Sequence, residues 1–144
     1  MSDSGTYIHG TAPAEQERLA ALNRMTNDAF LAFLNVAPGS RVLEVAFNDS
    51  RTFRLPYEYL RVYSPSAEVR GHGPGQEVLQ TGKKNVGITA IEPVGVYAVK
   101  LVFTDKHDTG IYSWDYLYEL GTKHDSNWKT YLARLQQAGA SRDA

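Results

Sequence analysis

The chain contains no cysteine. Disulfides, thiolate zinc sites, iron–sulfur ligation by this polypeptide and cysteine nucleophiles are therefore excluded together. It has no excess of basic residues either, since 15 Lys and Arg stand against 16 Asp and Glu, a formal charge of -1. Phosphate neutralisation needs concentrated positive charge, so no nucleic-acid partner is expected. No apolar run approaches the ~18 residues of a membrane span, and residues 1–10 are polar without an apolar signal core. No membrane association is expected, and the cytoplasm is the expected location. Several hydrolytic signatures are missing from the sequence: Gly-x-Ser-x-Gly, His-Glu-x-x-His and an acid pair at glycosidase spacing. What remains is 144 residues, 42% hydrophobic and 22% charged, an ordinary composition for one folded domain.

The hydrophobic pattern divides this chain. From Pro13 to about Asn35, Leu19, Leu22, Met25, Ala29, Phe30, Phe33 and Leu34 recur at helical steps, and Pro38-Gly39 ends the pattern. The period then changes to two. Residues 42–47 read as a strand, Asn48-Asp49-Ser50 as a turn, and Thr52 to Leu55 as the returning strand, stopped by Pro56. Tyr57 to Val62 can make one or two helical turns with Tyr59 and Leu60 inward. Ser64 to Lys84 is long, rich in Gly and Pro and poor in period, the profile of a functional or mobile segment. Residues 86–94 and 97–103 read as strands parted by Gly95, with Val99, Leu101 and Phe103 on one face. A tight turn at Thr104-Asp105-Lys106, a short strand at residues 110–113 and a helix at Trp114–Leu120 capped by Gly121 follow. A final helix uses Trp128, Tyr131, Leu132 and Leu135 and ends at Gly139. The expected fold is α+β, a small antiparallel sheet with short helices, preceded by an amphipathic N-terminal helix. Residues 1–38 form the expected helical extension and residues 39–142 the domain. The exposed stripe of that extension would suit a homodimer contact.

Two groups of residues carry chemistry. His72, between Gly71 and Gly73, sits in the Ser64–Lys84 segment, where successive amides can form an anion-binding concavity. Arg61, Tyr63, Arg70 and Lys83 would add charge and an aromatic edge, making a candidate binding loop. The Gly75 to Gly82 spacing, with Lys84 after Lys83, is not a phosphate-binding Walker motif. His107-Asp108 invites a base-and-orienting-carboxylate reading. Adjacent strand residues point to opposite faces and no nucleophile can be named, which favours a hairpin turn at residues 105–109 in which His107 packs or caps. No catalytic residue is assigned.

The strings SRVLEVAF, LPYEYLRVYSPSAEVRGHGPGQ and IEPVGVYAVKLVFTDKHDTGIYSWDYLYELG resemble the gamma-butyrobetaine hydroxylase-like N-terminal domain family over residues 40–142. The family comprises small bacterial proteins of unknown function and the amino-terminal module of carnitine-synthesis dioxygenases, and is also found fused to iron–sulfur carrier ATPases. In the dioxygenases the module binds zinc through three cysteines and a later histidine. Matched residue by residue, those positions are Ser64, Ser66, Val69 and His107. The resemblance thus implies an ancestrally metal-binding module, with zinc or iron as the family's metals, while three of the four donors are absent and no cofactor is expected. Residues 7–45 are similar to the start of S-adenosylmethionine-dependent methyltransferases. Ala46-Phe47-Asn48-Asp49-Ser50 stands where that family's glycine-rich turn would be. The reading that follows is a non-catalytic accessory module that binds a protein partner or small anion through the Tyr63–Lys84 loop. A residual zinc or iron protein is the second reading, and a methyltransferase-like fragment the third.

Overall fold

The computed structural model describes residues 32–35, 41–73 and 75–143, the first four in their backbone only. The helical pattern over residues 13–31, the break at Pro38-Gly39, and Pro74 in the glycine-rich loop lie outside the described residues. Among the described residues ten elements follow in the order β1 (Ala32–Asn35), β2 (Val42–Phe47), β3 (Thr52–Pro56), α1 (Tyr57–Val62), α2 (Ala67–Arg70), β4 (Ile88–Val94), β5 (Ala98–Phe103), β6 (Ile111–Ser113), α3 (Trp114–Thr122) and α4 (His124–Ala138). The strands make two antiparallel three-stranded sheets, β1-β2-β3 and β4-β5-β6. The fold is α+β, as the pattern implies.

β1 departs from the sequence reading. Phe33 and Leu34 fall on the expected helical stripe, yet Ala32–Asn35 pairs antiparallel with β2, Ala32 opposite Phe47 and Asn35 opposite Glu44. Four consecutive residues carry too little period to separate a helix end from a strand, and the free edge of β2 decides in favour of pairing. The boundary read at residue 38 therefore falls after a strand of the sheet. β2 then turns back on β3. Ser50 takes φ +73°, its N–H donates to Phe47 O at 3.1 Å, and the Asp49 carboxylate accepts the Arg51 N–H at 3.0 Å. A methyltransferase sheet would send this strand into a crossover helix; the hairpin does the reverse.

Alternation sets the core. Leu43, Val45 and Phe47 of β2 and Val99, Leu101 and Phe103 of β5 are buried, as period-two spacing requires. They share one cluster with Leu55, Tyr59, Leu60, Tyr112, Trp114 and Leu117. A smaller cluster of Val62, Tyr131 and Leu135 holds α4 down, with Trp128 packed against it. Leu132, read as inward, is exposed, because the contacting stripe of α4 runs through Trp128, Tyr131 and Leu135. Gly121 also differs from its reading as a cap. α3 continues through it to Thr122, and a Cβ at Gly121 would collide with the Phe53 ring. Glycine is needed there for close approach of helix to strand. Gly139 does end α4, at φ +65°.

The tyrosines are pins. Tyr59 donates to Leu120 O at 2.7 Å, Tyr112 to Leu60 O at 2.6 Å and Tyr116 to Tyr63 O at 2.6 Å. These carbonyls lie in or just past the last turns of α3 and α1, where helices leave acceptors without an intrahelical donor. Tyr131 reaches Gln80 O at 2.8 Å, fixing α4 to the segment before Gly82. Burial pushes the Tyr59 and Tyr112 phenols up and takes Tyr131 to about 12, so all three stay protonated donors at neutral pH.

Candidate functional site

Two neighbouring features occupy the side of the domain built by the Ser64–Lys84 segment. The first is a polar corner. Ser66 caps the single turn of α2, its Oγ accepting the Glu68 N–H at 3.2 Å, and this turn puts Glu68 beside His107. His107 is 6% exposed. Its Nδ1 lies 3.1 Å from Glu68 Oε1 and its Nε2 lies 2.9 Å from Ser64 Oγ. A carboxylate can only accept, so Nδ1 carries the proton toward Glu68, and in the neutral ring the Ser64 hydroxyl donates to Nε2. Ser66 Oγ and Thr109 Oγ1 are 2.7 Å apart, which ties the same two segments a second time. Burial lowers the His107 pKa, the charge of Arg61 lowers it further, and Glu68 and Asp105 pull in the opposite direction without prevailing. The corner is thus held by a neutral imidazole.

Asp105 anchors the base of that hairpin. Its Oδ2 accepts from Arg61 Nε at 2.9 Å and Lys83 Nζ at 2.7 Å, and its Oδ1 from the His107 N–H at 3.2 Å. Burial alone would raise this carboxyl, but the bonds from Lys83, the His107 amide and Arg61 outweigh it and hold the pKa at about 2. Arg61 and Lys83, read from sequence as charges for a ligand, therefore serve an internal carboxylate.

The corner has the order of a serine–histidine–carboxylate relay, and its packing differs from one. Ser64 is 1% exposed, its Oγ also accepts the Ser66 N–H at 3.2 Å, and Gly110 lies so close that a Cβ there would collide with that oxygen. The carboxylate end, by contrast, is 64% exposed. An attacking serine needs the opposite arrangement, with an accessible hydroxyl and a buried orienting acid.

The positions that the family resemblance assigns to metal donors lie around the same corner: Ser64 bonded to His107, Ser66 bonded to Thr109, and Val69 buried one residue after Glu68. Two hydroxyls, an isopropyl group and one imidazole do not fit a structural zinc site, which wants four strong N or S donors. Among the described residues no group of three or more His, Asp or Glu is gathered as a metal site.

The second feature is a cleft of about 560 Å³. Tyr63, Val69, Arg70, Gly71 and Val78 form one part of its wall, and Tyr116, Asn127 and Arg134 of α3 and α4 form another. Gly71 permits the loop to cross itself: it has φ +72° and stands so close to Gln76 O that a Cβ would collide. Of the residues read from sequence as a binding loop, Tyr63 and Arg70 line the cleft. His72 is exposed outside the lining, its N–H donating to Gln76 Oε1 at 3.2 Å, so the loop consumes the amide expected to face an anion. The sequence reading missed Glu68, Asn127 and Arg134. Ser66-Ala67-Glu68, a cap followed by an acid in the first turn, was the available signal for α2.

This is a small two-sheet α+β domain with a closed polar corner and an open cleft beside it. The model of the family described as "Gamma-butyrobetaine hydroxylase-like, N-terminal" matches residues 34–118, more than half the chain, and the chain belongs to that family. Two proteins with NMR solution structures are similar to it. One is 55% identical over 81% of this chain and 87% of its own, with a TM-score of 0.68. The other is 51% identical over 76% and 86%, with a TM-score of 0.66. A crystal structure of a protein of unknown function from Acidithiobacillus ferrooxidans ATCC 23270, described as belonging to the DUF971 family, is 41% identical over 61% of this chain and 88% of its own, with a TM-score of 0.50. No curated protein matches.

Proposed function

We propose that this chain is a non-catalytic binding module and that its site is the cleft walled by the loop after Tyr63. The observation that carries this reading is the division of labour on one side of the domain. The hydroxyls and the imidazole of the corner are spent on one another, whereas the cleft is open and has a volume within the ~300–1,000 Å³ of small-molecule sites. The closed-in Ser64 supports the absence of catalysis. The donor set at Ser64, Ser66, Val69 and His107 gives no support to a zinc- or iron-binding role. The occupant is a small anion or the acidic segment of a protein partner.

The reading is tested by NMR screening of the full chain with a library of small organic fragments of both charges. Binders are expected to shift the amides of Val69, Gly71, Tyr116 and Asn127. In parallel, the chain is expected to hydrolyse p-nitrophenyl acetate no faster than its Ser64→Ala variant. Fragment binding confined to other surfaces, or turnover that disappears with Ser64, would contradict the reading.

A further inference from the structure

We propose that the cleft holds the carboxylate of a small organic monoanion on the guanidinium groups of Arg70 and Arg134. The inference deepens the binding reading and rests on it. Five cations near this side of the domain have ion-pair partners: Arg61 and Lys83 with Asp105, Lys84 with Asp143, Lys123 with Glu119 and Arg142 with Glu58. Arg70 and Arg134 have none within 4.0 Å among the described residues, and both line the cleft.

Arg70 is already oriented. Its guanidinium lies over the Tyr116 ring, 4.8 Å from the centroid. Tyr116 is itself fixed by its bond to Tyr63 O. Stacking uses the face of a guanidinium and leaves N–H groups along its edge, the geometry that receives a carboxylate through two parallel bonds. Arg134 projects from α4, the helix pinned by Tyr131.

The remaining lining selects the ligand. Glu77 and Glu119 also line the cleft and offset part of the arginines' charge, so a second negative charge on the ligand gains little, which favours one carboxylate over a phosphate dianion. Val62 and Val69 are buried beneath the cleft, and Val78 is 52% exposed at its edge. An aliphatic body placed against Val78 would cover apolar surface that is now wet.

Calorimetric and NMR titration of the full chain with hexanoate, hexanol, hexylammonium and inorganic phosphate tests this. Hexanoate is expected to bind best, to shift the Nε–Hε signals of Arg70 and Arg134, and to lose about tenfold or more in affinity in Arg70→Gln and in Arg134→Gln. Arg70 is exposed and Arg134 half-buried, so both variants are expected to fold. Equal cleft binding of hexanol or hexylammonium, tighter binding of phosphate, or hexanoate binding unchanged in both variants would overturn the carboxylate assignment while leaving the cleft as a site. No cleft binding by any organic probe would overturn the binding reading as well.

Discussion

Arg142→Ala is expected to lower the unfolding free energy by about 2–4 kcal/mol, because it strips the partner from a buried carboxylate. Glu58 is 7% exposed in the first turn of α1, and Arg142 grips it with Nε at 2.8 Å and Nη2 at 2.7 Å. The same guanidinium lies 5.3 Å from the centroid of the Trp128 ring. Removing it leaves a carboxylate that is 7% exposed in the wild type without its cation, which is costlier than the net worth of the pair itself. The neighbouring backbone is bound too: Gly82 N–H donates to Ser141 O and Lys84 N–H to Arg142 O. These bonds survive the substitution, so the loss isolates the side chain. Urea denaturation of wild type, Arg142→Ala, Glu58→Gln and the double variant checks the coupling. A change in Arg142→Ala below about 0.5 kcal/mol, the worth of an exposed pair, would show that solvent already screens this contact.

His107→Ala is expected to cost a similar amount, about 2–4 kcal/mol at neutral pH, by opening a cavity beside Phe103 and leaving the Ser64 hydroxyl without its acceptor. Its signature is the pH dependence. The folded pKa of His107 lies below its ordinary value of 6.5. Between those values the unfolded chain binds more protons than the folded one, so His107 contributes stability above pH 6.5 that is lost as pH falls through the folded value. Asp105 acts lower. Its carboxyl drops from an ordinary 3.8 to about 2, so its contribution is present above 3.8 and lost as pH falls toward 2. Wild-type stability should therefore begin to decline below pH 6.5, and the His107→Ala curve should be flatter between 6.5 and 3.8. Parallel curves in that window would remove His107 as the group responsible.

Much of this fold is legible in the residues, because its elements are defined by local period and turn chemistry. Residues 42–47, Asn48-Asp49-Ser50 and Thr52 to Leu55 form the hairpin they spell, and Val99, Leu101 and Phe103 take the inward face. The failures arise from partners far away in sequence. Gly121 reads as a helix terminator until Phe53 arrives on it; Leu132 looks inward until α4 docks through Trp128, Tyr131 and Leu135, leaving Leu132 to one side of the contact. The site divides similarly. The hairpin packing of His107 follows from its turn, but Glu68, 39 positions earlier, carries no signal that it will meet the imidazole. Arg61 and Lys83 are basic residues in the right loop, and only tertiary structure shows both on Asp105. Arg134 lies in a helix outside the loop, so its place on the cleft wall depends on how Tyr131 and Leu135 seat α4.

The central claim is that hydrogen bonds among Ser64, Glu68 and His107 hold the polar corner without an ion, leaving the adjacent cleft to bind. Elemental analysis of the purified full chain, after exposure to equimolar zinc and iron and extensive buffer exchange, tests it most directly. The account predicts far less than one metal ion per chain and no change in thermal midpoint. One tightly held ion per chain, lost in His107→Ala, would contradict it.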